Sequence, residues 1–286
     1  MTLLWHILVE PLSFAFMQRA LAAAILIGAL SAVLSCYLIL KGWSLMGDAI
    51  SHAVLPGIVL AHLAGLPLAF GAFLAGLGSA LATGYLAANS RVKQDTVLGI
   101  VFSGMFAIGL VMFTKVETDQ HLNHILFGNI LGVSAAKLVE LAVVATLTLA
   151  IVIAKRRDIM LVVFDPAHAR AIGLPVRLIE NGLLVLLALA IVASMTAVGI
   201  LLVVAMLITP GATAYLLTHR FDRMLLYATA VAVGSCIAGT YLSFHIDGAT
   251  APCIVLVQAV VFLAAFLAAP GNGLLRRKLA DVPPTP

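Results

Sequence analysis

Asp48 and His52 stand four residues apart in the stretch Gly47-Asp48-Ala49-Ile50-Ser51-His52-Ala53-Val54-Leu55-Pro56-Gly57. On a helix, that spacing puts a carboxylate and an imidazole on one face, one turn apart. Together these groups suit zinc, manganese or iron(II). The flanking residues are apolar, so the pair falls inside a hydrophobic segment, where ionisable groups are costly and face a cavity or pathway. Pro56 and Gly57 are expected to interrupt the helix and free carbonyls towards such a cavity. The spacing fits a plainer arrangement equally well, with Asp48 capping a helix N-terminus and His52 bonded to a neighbouring helix. Two ligands do not complete a coordination sphere. The others must come from other helices, a second subunit or water.

Three further stretches carry polar chemistry. The segment near 115–134 holds Glu117, Asp119, His121 and His124, a cluster able to attract a cation or dock a delivering protein, or to be an ordinary solvated loop. His245 and Asp247, two apart, suit an extended segment or turn, and are either candidate metal ligands or part of an ordinary solvated loop. Between Lys155 and Arg177, Asp165 has the character of an N-cap, with Pro166 at the first helical position. Gly173 is a C-terminal stop with Pro175 behind it. This predicts a short two-turn helix carrying Ala169 and Arg170. It either connects two spans at the interface or is a knob that fits another protein. Cys36, Cys236 and Cys253 lie within or beside apolar runs and form no CxxC pair, so neither a disulfide framework nor a thiolate site is indicated. No GxxxxGK[ST] loop or nucleotide fingerprint occurs, and no GxSxG or HExxH. If ATP drives this chain, the ATPase is a separate polypeptide.

The elements that must hold these residues follow from composition. Of 286 residues, 63% are hydrophobic and 10% charged, with mean hydropathy +1.16. Soluble domains carry about a quarter charged residues. In lipid every backbone polar group must be paired internally, which leaves helices or a closed barrel. The apolar runs are continuous rather than alternating, so the expected fold is all-α: an integral, polytopic helical bundle forming one transmembrane domain over 1–286. Nine candidate spans are read at about 17–40, 48–64, 68–88, 96–113, 135–154, 179–195, 197–218, 224–243 and 251–270. The sixth and seventh meet at Thr196-Ala197-Val198-Gly199 and would count as one broken helix in an eight-span reading.

The net charge of +4 is a topology signal rather than a sign of nucleic acid, because Lys and Arg cluster in short gaps. Alternate gaps hold Lys41; Arg91 and Lys93; Lys155, Arg156, Arg157, Arg170 and Arg177; Arg220 and Arg223; and Arg276, Arg277 and Lys278, which is 13 of the 16 basic residues. That side is expected to be cytoplasmic, with the N-terminus outside and the C-terminus inside. Met1 to Arg19 lacks the basic start of a cleaved signal peptide. The Pro-rich tail, Asp281 to Pro286, is expected to be disordered.

Several stretches together resemble the ABC-3 family, the permeases of bacterial manganese, zinc and iron importers. They are LKGWSLMGDAISHAVLPG at 40–57, DTVLGI at 95–100, HILFGNILG at 124–132, FDP at 164–166, AIGLP at 171–175 and VGILLVVAMLITPG at 198–211. They fall in family order over about residues 15–270, with the manganese/iron branch the nearer. The resemblance implies a type II importer fold, related to the vitamin B12 importer permease but without its first helix. It implies no permanently bound cofactor, a transported divalent ion, and ATP on a partner. The partners implied are two copies of a cytoplasmic ABC ATPase, a second permease copy or paralogue, an extracytoplasmic metal-binding protein and the lipid bilayer of a bacterial inner membrane. Asp48 and His52 then resemble pathway metal ligands, and 165–173 the coupling helix that sits in a cleft of the ATPase. Competing readings are an ion-coupled secondary carrier and a vitamin or siderophore permease of the related family.

Overall fold

The structure is a computed structural model in which residues 11–115 and 130–269 are described. A 3-10 turn at Pro11–Ser13 leads into α1 (Ala15–Lys41), α2 (Met46–Ala53), α3 (Leu55–Leu63), α4 (Leu68–Ala88) and α5 (Gln94–Phe113). After a second 3-10 turn at Ile130–Gly132 come α6 (Ala135–Ala154), α7 (Arg156–Phe164), α8 (Pro166–Ala171) and α9 (Val176–Val198). Then follow α10 (Ile200–Leu217), α11 (Phe221–Ile246) and α12 (Thr250–Ala268). Nine stretches among the described residues are long and apolar enough to cross a membrane, α2 and α3 together making the second, Met46–Leu63. The sixth and seventh spans are separate helices, parted at Gly199, whose φ is 86°. The polar connection after α6 holds two helices, not the single one expected: α7 precedes the short α8.

α1 is the central post, packed on α10, α11 and α6. Lipid tails are as apolar as leucine, so close packing, not water exclusion, must join such helices, and small residues allow it. Ala20, Ala23, Ala24 and Gly28 of α1 are buried, with Gly28 against Ala232 and Cys236 of α11. α1 stops at Gly42, φ 75°, whose N–H donates to Ile39 O while that of Trp43 donates to Leu38 O. Against α10, Ser35 bonds the helix backbone on either side of Pro210. Pro210 sits inside that helix and lacks an N–H. The buried Ser35 hydroxyl donates to Ile208 O at 3.3 Å and accepts the Gly211 N–H at 3.0 Å.

Ion pairs show which helix ends lie together. Lys41 Nζ, at the end of α1, is 2.7 Å from Glu180 Oε1 in the early turns of α9. Arg156 Nη1, opening α7, is 3.3 Å from Asp222 Oδ1, opening α11. The first pair is part-buried and the second exposed, where such a pair contributes up to about 1 kcal/mol; both serve here to mark geometry. They gather on one side of the bundle three of the gaps that are rich in basic residues.

Candidate metal site

The second span is bent at its middle. Pro56 has no N–H to give the His52 carbonyl four residues earlier, so α2 ends at Ala53 and α3 begins at Leu55, with Pro56 in its first turn. Val54 between them keeps helical angles, φ −72° and ψ −21°, so the span is kinked rather than unwound. Gly57 does not break the helix, contrary to expectation. It is a contact point: a Cβ there would strike the Gly71 carbonyl oxygen of α4, and one on Gly71 would strike the Gly57 carbonyl oxygen. The two backbones touch, which fixes where the bend lies.

α2 packs against α4, α5, α9 and α10. Of its eight residues, Met46, Gly47, Ala49, Ile50, Ser51 and Ala53 are buried. The two that are not are Asp48 and His52, whose side chains are 34% and 28% exposed. His52 Nε2 lies 3.3 Å from Asp48 Oδ1, one turn away on the same face. Leu45 holds the cap position of α2 without a side-chain cap bond, and Asp48 sits within the first turn. The plainer alternative, Asp48 as N-cap, is therefore not what the fold builds. The result is a carboxylate and an imidazole side by side on the one uncovered stripe of a membrane helix. Facing lipid, such a stripe would be strongly unfavourable; facing water or protein, it is a donor set for a divalent cation. The imidazole also touches two aromatic rings of α5, those of Phe102 and Phe106. Sequence reasoning missed both, and nothing in their spacing announces which helix they meet.

The remaining candidates separate. Among the described residues, no group of three or more His, Cys, Asp or Glu side chains comes together, so His245 and Asp247 do not join the Asp48–His52 pair. His245 Nδ1 donates to Tyr241 O at 2.8 Å. Asp247, at φ 49°, ends α11, and Ser243 Oγ beside it meets Gly248 O at 2.6 Å and Thr250 Oγ1 at 2.8 Å. These bonds build the turn into α12. His124, with Glu117, Asp119 and His121, lies outside the described residues.

On the basic side, Asp165 Oδ1 accepts the His168 N–H at 2.9 Å and Pro166 is the first residue of α8. Gly173 follows the helix at φ 83°, its N–H donating to Arg170 O and that of Leu174 to Ala169 O. A side chain is strained at that φ. Ala169 is fully buried, in a small cluster with Val162 and Val176. Arg170 is exposed and its Nε donates to Pro166 O. α8 thus presents a capped, compact turn at the surface, flanked by the exposed Phe164 and Ile172.

Comparison with known proteins identifies the family. The model of the ABC 3 transport family matches residues 13–269. The chelated iron transport system membrane protein YfeD of Yersinia pestis is 58% identical over 282 residues, covering 99% of this chain and 95% of that one. The manganese transport system membrane protein MntB of Synechocystis is 48% identical over 274 residues, 96% of this chain and 90% of that one. Among solved structures, PsaBC from Streptococcus pneumoniae in complex with Fab superposes with a TM-score of 0.85 at 37% identity, covering 96% of this chain and 99% of that one. With nine candidate spans among the described residues and a match along nearly its whole length, this chain belongs to the ABC 3 transport family of multi-pass membrane permeases.

Proposed function

We propose that this chain is the membrane-spanning permease subunit of an ATP-driven importer of divalent transition-metal ions. Manganese and iron(II) are the favoured cargo, and zinc suits the same ligands. The observation that carries this reading is the Asp48–His52 pair on the single uncovered stripe of an otherwise buried α2. A divalent ion crossing a low-dielectric region needs its lost water replaced by ligands. Asp48 supplies charge and His52 a nitrogen, and two such pairs across a two-fold dimer would give a four-ligand set. No cysteine stands on α2, which argues for manganese, iron(II) or zinc over copper(I). YfeD is named for chelated iron transport and MntB for manganese transport, which supports the cargo class.

In this scheme an extracytoplasmic metal-binding protein delivers the ion at the outer mouth. Two cytoplasmic ATPases drive alternating access, and α8, with Asp165, Pro166, Ala169, Arg170 and Gly173, docks on them. The subunit lies in the bacterial cytoplasmic membrane with its N-terminus outside and its C-terminus in the cytoplasm, following the charge asymmetry. The partner permease is a second copy or a paralogue. The test is uptake of labelled manganese, iron(II) and zinc by cells carrying the wild type, no gene, or Asp48→Asn at equal protein level. Uptake that does not depend on the gene refutes the assignment. Uptake that depends on it but survives Asp48→Asn removes the pathway role of the pair.

A further inference from the structure

The ring of His52 is not oriented by hydrogen bonds at both nitrogens. Nε2 faces Asp48 Oδ1 at 3.3 Å, whereas Nδ1 is buried and has no hydrogen-bond partner. A metal-ligating histidine ordinarily fixes its ring through a hydrogen bond from the second nitrogen to a carboxylate, carbonyl or water. Here aromatic groups contact the ring instead. The Phe106 centroid lies 5.3 Å away at an interplanar angle of 82°, and that of Phe102 at 5.9 Å and 38°. Both come from α5, where Phe102, Phe106 and Gly109 fall at i, i+4 and i+7, one stripe of the helix. Gly109 sets how close that stripe comes. A Cβ on it would stand 2.9 Å from Leu55 Cβ and 2.9 Å from Pro56 Cδ. α5 therefore rests directly on the kink just after His52, in register to bring its two rings to the imidazole.

We propose that Phe102 and Phe106 are positioning residues for the metal ligand: they set the direction in which His52 offers Nε2, in place of the hydrogen bond that Nδ1 lacks. This rests on the reading of Asp48 and His52 as ligands. Ring pairs prefer edge-to-face or offset geometry, so two flanking rings restrict rotation of the imidazole. An aliphatic side chain fills the same space without that angular preference. A binding group must be held within about 10–20° of its working direction, and a ring free to turn offers its nitrogen over a wider arc.

The experiment uses the permease assembled with its ATPase in lipid nanodiscs. Manganese(II) binding is read from the loss of the free-ion paramagnetic resonance signal, and the unfolding midpoint is measured alongside. Phe106→Leu is expected to weaken manganese binding about tenfold, the size of effect that supporting residues have on metal sites, while keeping the wild-type midpoint. Phe102→Leu should act in the same direction, and Phe106→Tyr should restore affinity. Phe113→Leu, two turns further along α5, should leave it unchanged. His52→Ala and Asp48→Asn calibrate the loss of a ligand. If these two lose binding while Phe106→Leu and Phe102→Leu bind as wild type, the positioning role is wrong and the ligand reading stands. If Phe106→Leu and Phe106→Tyr lose affinity and midpoint together, the ring is only packing and the positioning role is wrong. If His52→Ala and Asp48→Asn bind as wild type, both readings fall.

Discussion

One methyl group added at Gly57 tests whether the bend of the second span has to lie where it does. A Cβ there would strike the Gly71 carbonyl oxygen and stand 2.5 Å from Ala75 Cβ. Carbon atoms in ordinary contact are about 3.5–4.0 Å apart. α3 and α4 must therefore separate by about 1 Å, and the obstacle is backbone, which cannot swing aside as a long side chain does. Overpacking of this kind costs about 1–3 kcal/mol. The displacement also reaches the proposed metal ligands, because His52 is only five residues away and Leu55 and Pro56 between them are pressed against Gly109. A shift of about 1 Å in a positioned group can lower activity by up to about a hundredfold. Gly57→Ala is expected to reach the membrane in normal amount, to unfold at a lower temperature, and to take up radioactive manganese about ten- to a hundredfold more slowly. Gly71→Ala should match it, since the contact is mutual. Gly78→Ala, also on α4 but with open space around its Cβ position, should behave as wild type. Wild-type uptake and midpoint in Gly57→Ala would refute the argument that backbone contact between α3 and α4 positions the site.

Asp48→Asn and His52→Ala should each abolish uptake without lowering protein level or ATPase assembly. Asn keeps the shape of Asp48 and removes only its charge, so wild-type uptake by that variant excludes an electrostatic role. Gly173→Val and Asp165→Arg should reduce co-purification of the ATPase and transport while leaving membrane insertion intact, because one strains the φ 83° turn after α8 and the other removes its cap. Undiminished ATPase binding by both would move the contact elsewhere, with 218–223 the next segment to test. A reporter fused after Arg277 should read cytoplasmic and a tag at the N-terminus extracytoplasmic. Finding both ends on one side would contradict an odd number of spans.

The spans are legible in the sequence because a long apolar run has one solution in lipid. The second was expected at 48–64 and is Met46–Leu63; the sixth was expected at 179–195 and is Val176–Val198. Local backbone chemistry is legible for the same reason. Asp165 before Pro166, with Gly173 behind, specifies a capped turn from neighbours alone. α7 was not, because its opening Arg156-Arg157-Asp158 reads as the charge of a loop, and only packing of Ile159 and Val162 in the fold makes it a helix. Lys41 and Glu180 are 139 residues apart, and no period or spacing connects them.

The Asp48–His52 pair marks where local pattern stops deciding. Spacing puts both on one face but allows that face to be a cap, a helix contact or a ligand set. Three facts of packing discriminate among these. Leu45, not Asp48, occupies the cap position. His52 Nδ1 has no hydrogen-bond partner, and the ring's neighbours on α5 are carbon, so a polar contact with that helix does not account for it. Every other residue of α2 is buried, so the uncovered stripe is confined to the two side chains that lipid would tolerate least. A face of that composition is stable in a membrane only against water, an ion or another protein. The two groups present supply fewer donors than a transition metal takes, since even tetrahedral zinc takes four. The remaining donors must therefore come from elsewhere: other helices, a second subunit or water.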